Sequence, residues 1–174
     1  MRFDRFTIKS QEVIQTSQSL AARYGNQQIE PEHLLSAMLA DREGTAVTLL
    51  RKLGVAPEAI AADSLRAVER LPKVSGAGMG EAYLSGRSKA VLEAAFAEAT
   101  QMKDEYVSVE HLLLAIIAEK GGEAGRMLSR AGLAREGVLK ALQEIRGSQR
   151  ITDPNPEDKY QALKRFSRDL TDLA

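Results

Sequence analysis

Glu32-His33-Leu34-Leu35 recurs as Glu110-His111-Leu112-Leu113, and laying one tetrad on the other brings Thr7–Glu58 onto Ser85–Glu136 without a gap. The overlay matches Ser10 with Ser88, Val13 with Val91, Ala37 with Ala115, Leu50 with Leu128 and Gly54 with Gly132. Identity that recurs at one fixed offset, at apolar and turn positions alike, marks a duplicated structural unit. Reading one copy therefore reads both.

Working outward from the tetrads, every signal is helical. Val13, Ile14, Ser17, Leu20, Ala21 and Tyr24 recur at spacings of three and four behind a capping Thr7. In the second copy Val91, Leu92, Ala95, Ala99 and Met102 do the same behind Ser85. Gly25 and Lys103-Asp104-Glu105 mark the exits. Pro31 opens a second helix carrying Leu34, Leu35, Met38 and Leu39, and Ser108 caps its counterpart with Leu112, Leu113, Ile116 and Ile117. A third helix runs over 45–53 and again over 123–131, stopped by Gly54 and Gly132 in left-handed positions. The fourth runs from Pro57 to Leu71, before Pro72, and from 135 to 146 in the second copy. The expected fold is all-α: two tandem pseudo-symmetric four-helix repeats, 7–71 and 84–146, joined by a connector over 72–83.

Pro72-Lys73-Val74-Ser75-Gly76-Ala77-Gly78-Met79-Gly80 reads as flexible connection, without a phosphate-loop pattern. A second break falls at 147–156, placing the domain at 1–147 and a linker at 148–174. Helical spacing then resumes through Tyr160, Leu163, Phe166, Leu170 and Leu173. That last stripe needs a surface to pack on.

Composition excludes several functions. The chain has 174 residues, 44% of them hydrophobic, enough to bury roughly 70% of its unfolded surface in one domain. Lys plus Arg and Asp plus Glu balance at 24 each and form no long like-charged run, so neither nucleic acid nor an anionic membrane is an expected partner. Without cysteine there is no disulfide, thiolate zinc site or thiol nucleophile, which fits a cytoplasmic location. No apolar stretch approaches the roughly 18 residues of a membrane span. No Gly-x-x-x-x-Gly-Lys-Ser/Thr occurs, so this chain is not expected to be an enzyme or to hold a cofactor.

The paired motifs Glu30-Pro31-Glu32-His33-Leu34-Leu35 and Val107-Ser108-Val109-Glu110-His111-Leu112-Leu113 resemble the N-terminal domain family of the Clp AAA+ unfoldases, over nearly the whole chain. The opening Met1-Arg2-Phe3-Asp4-Arg5-Phe6-Thr7, the connector at 71–76 and the tail at 155–163 with Arg168-Asp169-Leu170-Thr171 are similar to its ClpB branch, more than to the protease-coupled ClpA and ClpC branches. The resemblance implies a substrate-recruiting collar domain of a disaggregase. The parent would be a homohexamer using ATP and magnesium, would thread unfolded or aggregated polypeptides through a pore, and would act with the DnaK system after heat stress. It also implies that 157–174 leads toward an ATPase module and that the fragment alone is a monomer. The alternative it offers is an adaptor-docking domain of the ClpA and ClpC kind.

His33 and His111 occupy the same place in separate copies and form no His-Glu-x-x-His pair, so they read as structural rather than as metal ligands. Glu32 and Glu110 sit in first turns, where the helix dipole favours a carboxylate. The resemblance places Thr7, Ser85, Asp104 and Glu110 in a polar cluster on the functional surface, whereas on the sequence alone helix capping is the favoured reading of Thr7 and Ser85. Asn26 stands where the second copy has Asp104. Positions apolar in one copy and polar in the other need not be core, which singles out Phe96 against Gln18 and Leu114 against Ser36. Either they offer exposed apolar surface to substrate or they fill an asymmetric interface between the copies.

Overall fold

The computed structural model describes residues 2–74 and 80–157. After a 3-10 turn at Phe3–Arg5, the first repeat is α1 (Ile8–Arg23), β1 (Gln28–Ile29), α2 (Pro31–Ala40), α3 (Thr45–Lys52) and α4 (Pro57–Glu69). The second is β2 (Tyr83–Leu84), α5 (Gly86–Gln101), α6 (Val109–Ala118), α7 (Glu123–Arg130) and α8 (Arg135–Arg146). Thr7 and Ser85 cap α1 and α5 by accepting the N–H of Ser10 and Ser88, at 3.2 and 3.0 Å. Gly54 and Gly132 end α3 and α7 at φ 77° and 90°, a conformation that costs glycine nothing. Pro31 and Pro57 sit in first turns, where the missing N–H has no helical partner to lose.

Helices α2 and α6 are apolar nearly all round, and burial follows: Leu34, Leu35, Leu112 and Leu113 are all 0% exposed. The two helices touch at the centre, and the other elements cross between repeats in reciprocal pairs, α1 on α6 with α5 on α2, and α4 on α7 with α8 on α3. One apolar cluster accordingly runs through both copies. The entry to each repeat also pairs with the other's α1–α2 or α5–α6 connection. β1 lies parallel to β2, and Phe6 bridges Val107 at the equivalent place.

This interlocking changes the connector and the domain boundary. Residues 72–83 were expected to be free connection, yet Asn26 donates to the Pro72 carbonyl at 3.0 Å, Val74 N–H to Gly25 at 2.8 Å, and Tyr83 forms strand. Residues 148–157 were expected to be linker outside the domain. Instead Ile151 is 0% exposed, Glu105 N–H donates to its carbonyl at 2.8 Å, and Ile8 N–H donates to Pro154 at 2.8 Å. Backbone groups at the exits of α1 and α5 and at the start of α1 find their partners in these segments, a demand that periodicity does not register. The helix expected from 157 onward lies, beyond its first residue, outside the described residues.

Leu114 is a correction too. It is 1% exposed and belongs to the central cluster, so it offers no surface to a substrate. Its counterpart Ser36 is hydrogen-bonded to Ser64 at 2.6 Å, and the overlay puts Leu142, also buried, where Ser64 stands. The copies thus differ by a matched exchange, a bonded polar pair for two leucines, and both satisfy burial.

Candidate functional site

The histidines of the repeated tetrads act at helix starts. His33 Nδ1 accepts the N–H of Glu30 and His111 Nδ1 that of Ser108, each at 2.8 Å, closing the first turn of α2 and α6. With Nδ1 an acceptor, Nε2 carries the proton in the neutral ring and donates it to Asn26 Oδ1 at 2.9 Å or Asp104 Oδ2 at 2.8 Å. Burial pushes the His33 imidazole down to about 4, against the nearby Glu30 charge. The folded protein then binds fewer protons than the unfolded chain below the ordinary value of 6.5, so this stabilisation is complete above that pH and is lost as pH falls through about 4. Measured by urea denaturation relative to a His33→Gln variant, the parent should lose about 3 kcal/mol of stability over that window. A His33→Gln variant should remove most of that pH dependence, and an unchanged slope would refute the assignment.

Around Asp104 the second copy departs from the first. Its buried carboxylate accepts from His111, from Arg146 at 2.6 Å and from the Ile151 N–H at 2.9 Å. Burial pushes the group up, but these donors outweigh it and hold the carboxyl down at about 2. Arg146 also approaches Glu110 at 3.7 Å, and Glu110 faces the returning Glu157. Glu157 is 3% exposed, with Thr7 Oγ1 donating to it at 2.7 Å and Val109 N–H at 3.4 Å. Its carboxyl is raised to about 7 by burial and by the charge of Glu110, against the hydrogen bonds from Thr7 and the backbone.

Of the residues singled out in the sequence, Thr7, Asp104 and Glu110 therefore converge, linked through Arg146 and Glu157. Ser85 does not join them. It belongs to the pseudo-symmetric partner site, where Ser85 N–H donates to Ile29 as Thr7 N–H does to Val107. There Arg87 fills the space, bonded to Glu30 at 2.8 Å, Glu32 at 3.1 Å and Glu119 at 3.0 Å. Phe96 is half-buried, its ring edge-on to Phe6 at 5.1 Å, so at least part of its role is packing. Arg87, Arg146, Ile151 and Glu157 were not found from sequence. The overlay carries a signal for Arg87, charged in both copies as Lys9 and Arg87, whereas Glu157 lies outside the repeat and carries none.

Beside Glu157 a cleft of about 660 Å³ opens between α1, the α2–α3 turn and the start of α6. Val13, Ala37, Met38 and Val109 supply buried apolar lining, and Lys9, Glu12, Asp41 and Glu43 stand at its polar edges. Its volume and mixed lining are those of a binding site. The described residues around it present no nucleophile with an adjacent base, and both histidines have their ring nitrogens engaged. No described helix is long and apolar enough to cross a membrane.

Comparison with known proteins agrees with this architecture. The chaperone protein ClpB of Nitratidesulfovibrio vulgaris is 41% identical over 100% of this chain and 20% of its own length, and that of Rhodopirellula baltica is 42% identical over 99% and 19%. The chain thus spans about a fifth of the length of the curated relatives it matches. Among solved structures, the Hsp104 N-terminal domain from Candida albicans superposes with a TM-score of 0.75 at 25% identity, covering 87% of this chain and 98% of that one. The model of the Clp repeat (R) N-terminal domain matches residues 5–131. With that match over most of the interlocked repeats, the chain belongs to the Clp repeat N-terminal domain family.

Proposed function

We propose that this chain is the substrate-recruiting domain of an ATP-dependent protein disaggregase, one that engages unfolded or aggregated polypeptide and passes it to the pore of a hexamer working with a DnaK system in the cytoplasm. The observation that carries the reading is the cleft beside Glu157. An apolar lining with a charged edge suits an extended chain of variable sequence, which must be held by burial with little demand for particular side chains. The similarity to ClpB chaperones supports the same reading. ATP and magnesium would be held by a module outside this chain, since no phosphate loop occurs in it.

Thr16 lines the cleft from an exposed position on α1, so Thr16→Trp obstructs it without touching the core. In a fluorescence-anisotropy titration against reduced, carboxymethylated α-lactalbumin, this variant is expected to bind at least about tenfold more weakly than the parent. Native, disulfide-intact α-lactalbumin should bind neither. Equal affinity of parent and variant, or preference for the folded form, would sink the reading; preference for a folded partner is the behaviour of an adaptor-docking domain.

A further inference from the structure

The segment 147–157 leaves the last helix, crosses the exit of α5, and ends with a carboxyl group inserted between the starts of α1 and α6. Its two ends are held differently. At Ile151 the holding carboxylate keeps its charge over the physiological range, because Asp104, bound by Arg146 and the Ile151 N–H, remains ionised down to about pH 2. At Glu157 the holding group is itself a carboxyl, 3% exposed, placed next to Glu110, which is 0% exposed. Neither oxygen of Glu110 and only one of Glu157 has a hydrogen bond among the described residues. Two ionised carboxylates in such a place repel at low dielectric, whereas one neutral and one charged carboxyl do not.

We propose that Glu157, set against Glu110, is a proton-operated latch: with Glu157 protonated the segment 152–157 is docked against α1 and α6, and loss of that proton frees it beyond Ile151 while both repeats stay folded. The charged groups around the latch are Lys9 and Glu12 on α1, Asp41 and Glu43 at the α2–α3 turn, Glu110 on α6 and Arg146 on α8. Lys9 lies 3.7 Å from Glu12, and Arg146 bonds Asp104 and approaches Glu110 at 3.7 Å. The sign follows from the two states. Docked, Glu157 titrates near 7; released, it titrates as an ordinary glutamate near 4.5. The docked state binds more protons, so docking is strongest below about pH 4.5, weakens as pH rises, and has lost its proton-linked part above about 7. Release of 152–157 moves the point of attachment back to Ile151 and lengthens the tether by up to about 20 Å, at some 3.3–3.6 Å per extended residue. Between about pH 4.5 and 7, where the docked and released states differ most in bound protons, a change in proton activity has most effect on docking.

Heteronuclear ¹⁵N NOEs of the full chain at pH 5.5 and 8.5 test it, with the amide of Leu113 as a reporter of the folded core. The parent is expected to show rigid amides at Thr152, Asp153, Asn155 and Glu157 at the lower pH, a clear loss of NOE there at the higher pH, and no change at Ile151 or Leu113. Glu157→Gln keeps an acceptor for Thr7 but cannot ionise, and is expected to stay rigid at both. Equal NOEs in the parent at the two pH values would overturn the latch. So would a Glu157→Gln chain that loosens as the parent does, since another group would then be the one titrating.

Discussion

Gly125→Ala is expected to destabilise the domain by about 3 kcal/mol or more, although its place inside α7 suggests the reverse. Replacing an interior helical glycine with alanine ordinarily gains about 0.5–1 kcal/mol, because alanine restricts the unfolded chain and favours helix. Here a Cβ would stand 1.9 Å from the carbonyl oxygen of Glu119 and 2.9 Å from that of Ile116. Both are backbone atoms at the end of α6, so no side-chain rotation relieves the overlap and α7 has to move off the core. In the first copy the same position is Val47, buried at 3%, so the close helix contact belongs to one repeat only. Gly137 in α8 is the control: its nearest neighbour would be a Leu53 methyl at 3.9 Å, and Gly137→Ala should raise stability by about 0.5–1 kcal/mol. Urea midpoints of the two variants that shift in the same direction would contradict the packing described for α7.

Arg87→Met carries the second large effect, a loss of about 3 kcal/mol at neutral pH. The magnitude is that of removing one partner from a buried charge pair, taken from the low end of the range because the Arg87 side chain is 35% exposed. Arg87 joins α5 to Glu30 and Glu32 at the start of α2 and to Glu119 at the end of α6, and the bonds to Glu119, with those to Glu32, raise its own pKa against the cost of burial. Without the guanidinium, Glu32, 3% exposed at its side chain, faces two further carboxylates with no cation in the position that Arg87 held. Arg87→Lys should recover only part of it, since an ammonium lacks the planar fork that bonds Glu32 and Glu119 in pairs. A melting curve for Arg87→Met that matches the parent at pH 7 would show that the cluster is surface decoration.

How far the site was legible depended on whether a residue had a partner in the other copy. Thr7, Asp104 and Glu110 stood out because the overlay and the resemblance marked them, and the structure joins them in one network. Ser85 was grouped with them because it is the counterpart of Thr7, and that same symmetry puts it in the other site. Leu114 misleads because a polar counterpart suggests exposure, whereas Ser36 is buried too and satisfied by Ser64. Glu157 was invisible, since a single glutamate after a proline carries no local signal of burial. Only contacts across a separation of 150 residues define it.

By itself the sequence determined the helices, their caps and stops, the duplication, and the family. Those properties rest on local periodicity, on turn chemistry within a few residues, and on a repeat that can be counted. Tertiary structure alone decided which ends of the two repeats meet, that 148–157 belongs to the domain, and that one copy closes its cleft with Arg87 while the other leaves it open beside a buried pair of carboxyls. The physical reason is that burial and electrostatics depend on distance through space. In an interlocked duplication, the nearest groups in space come from opposite halves of the chain.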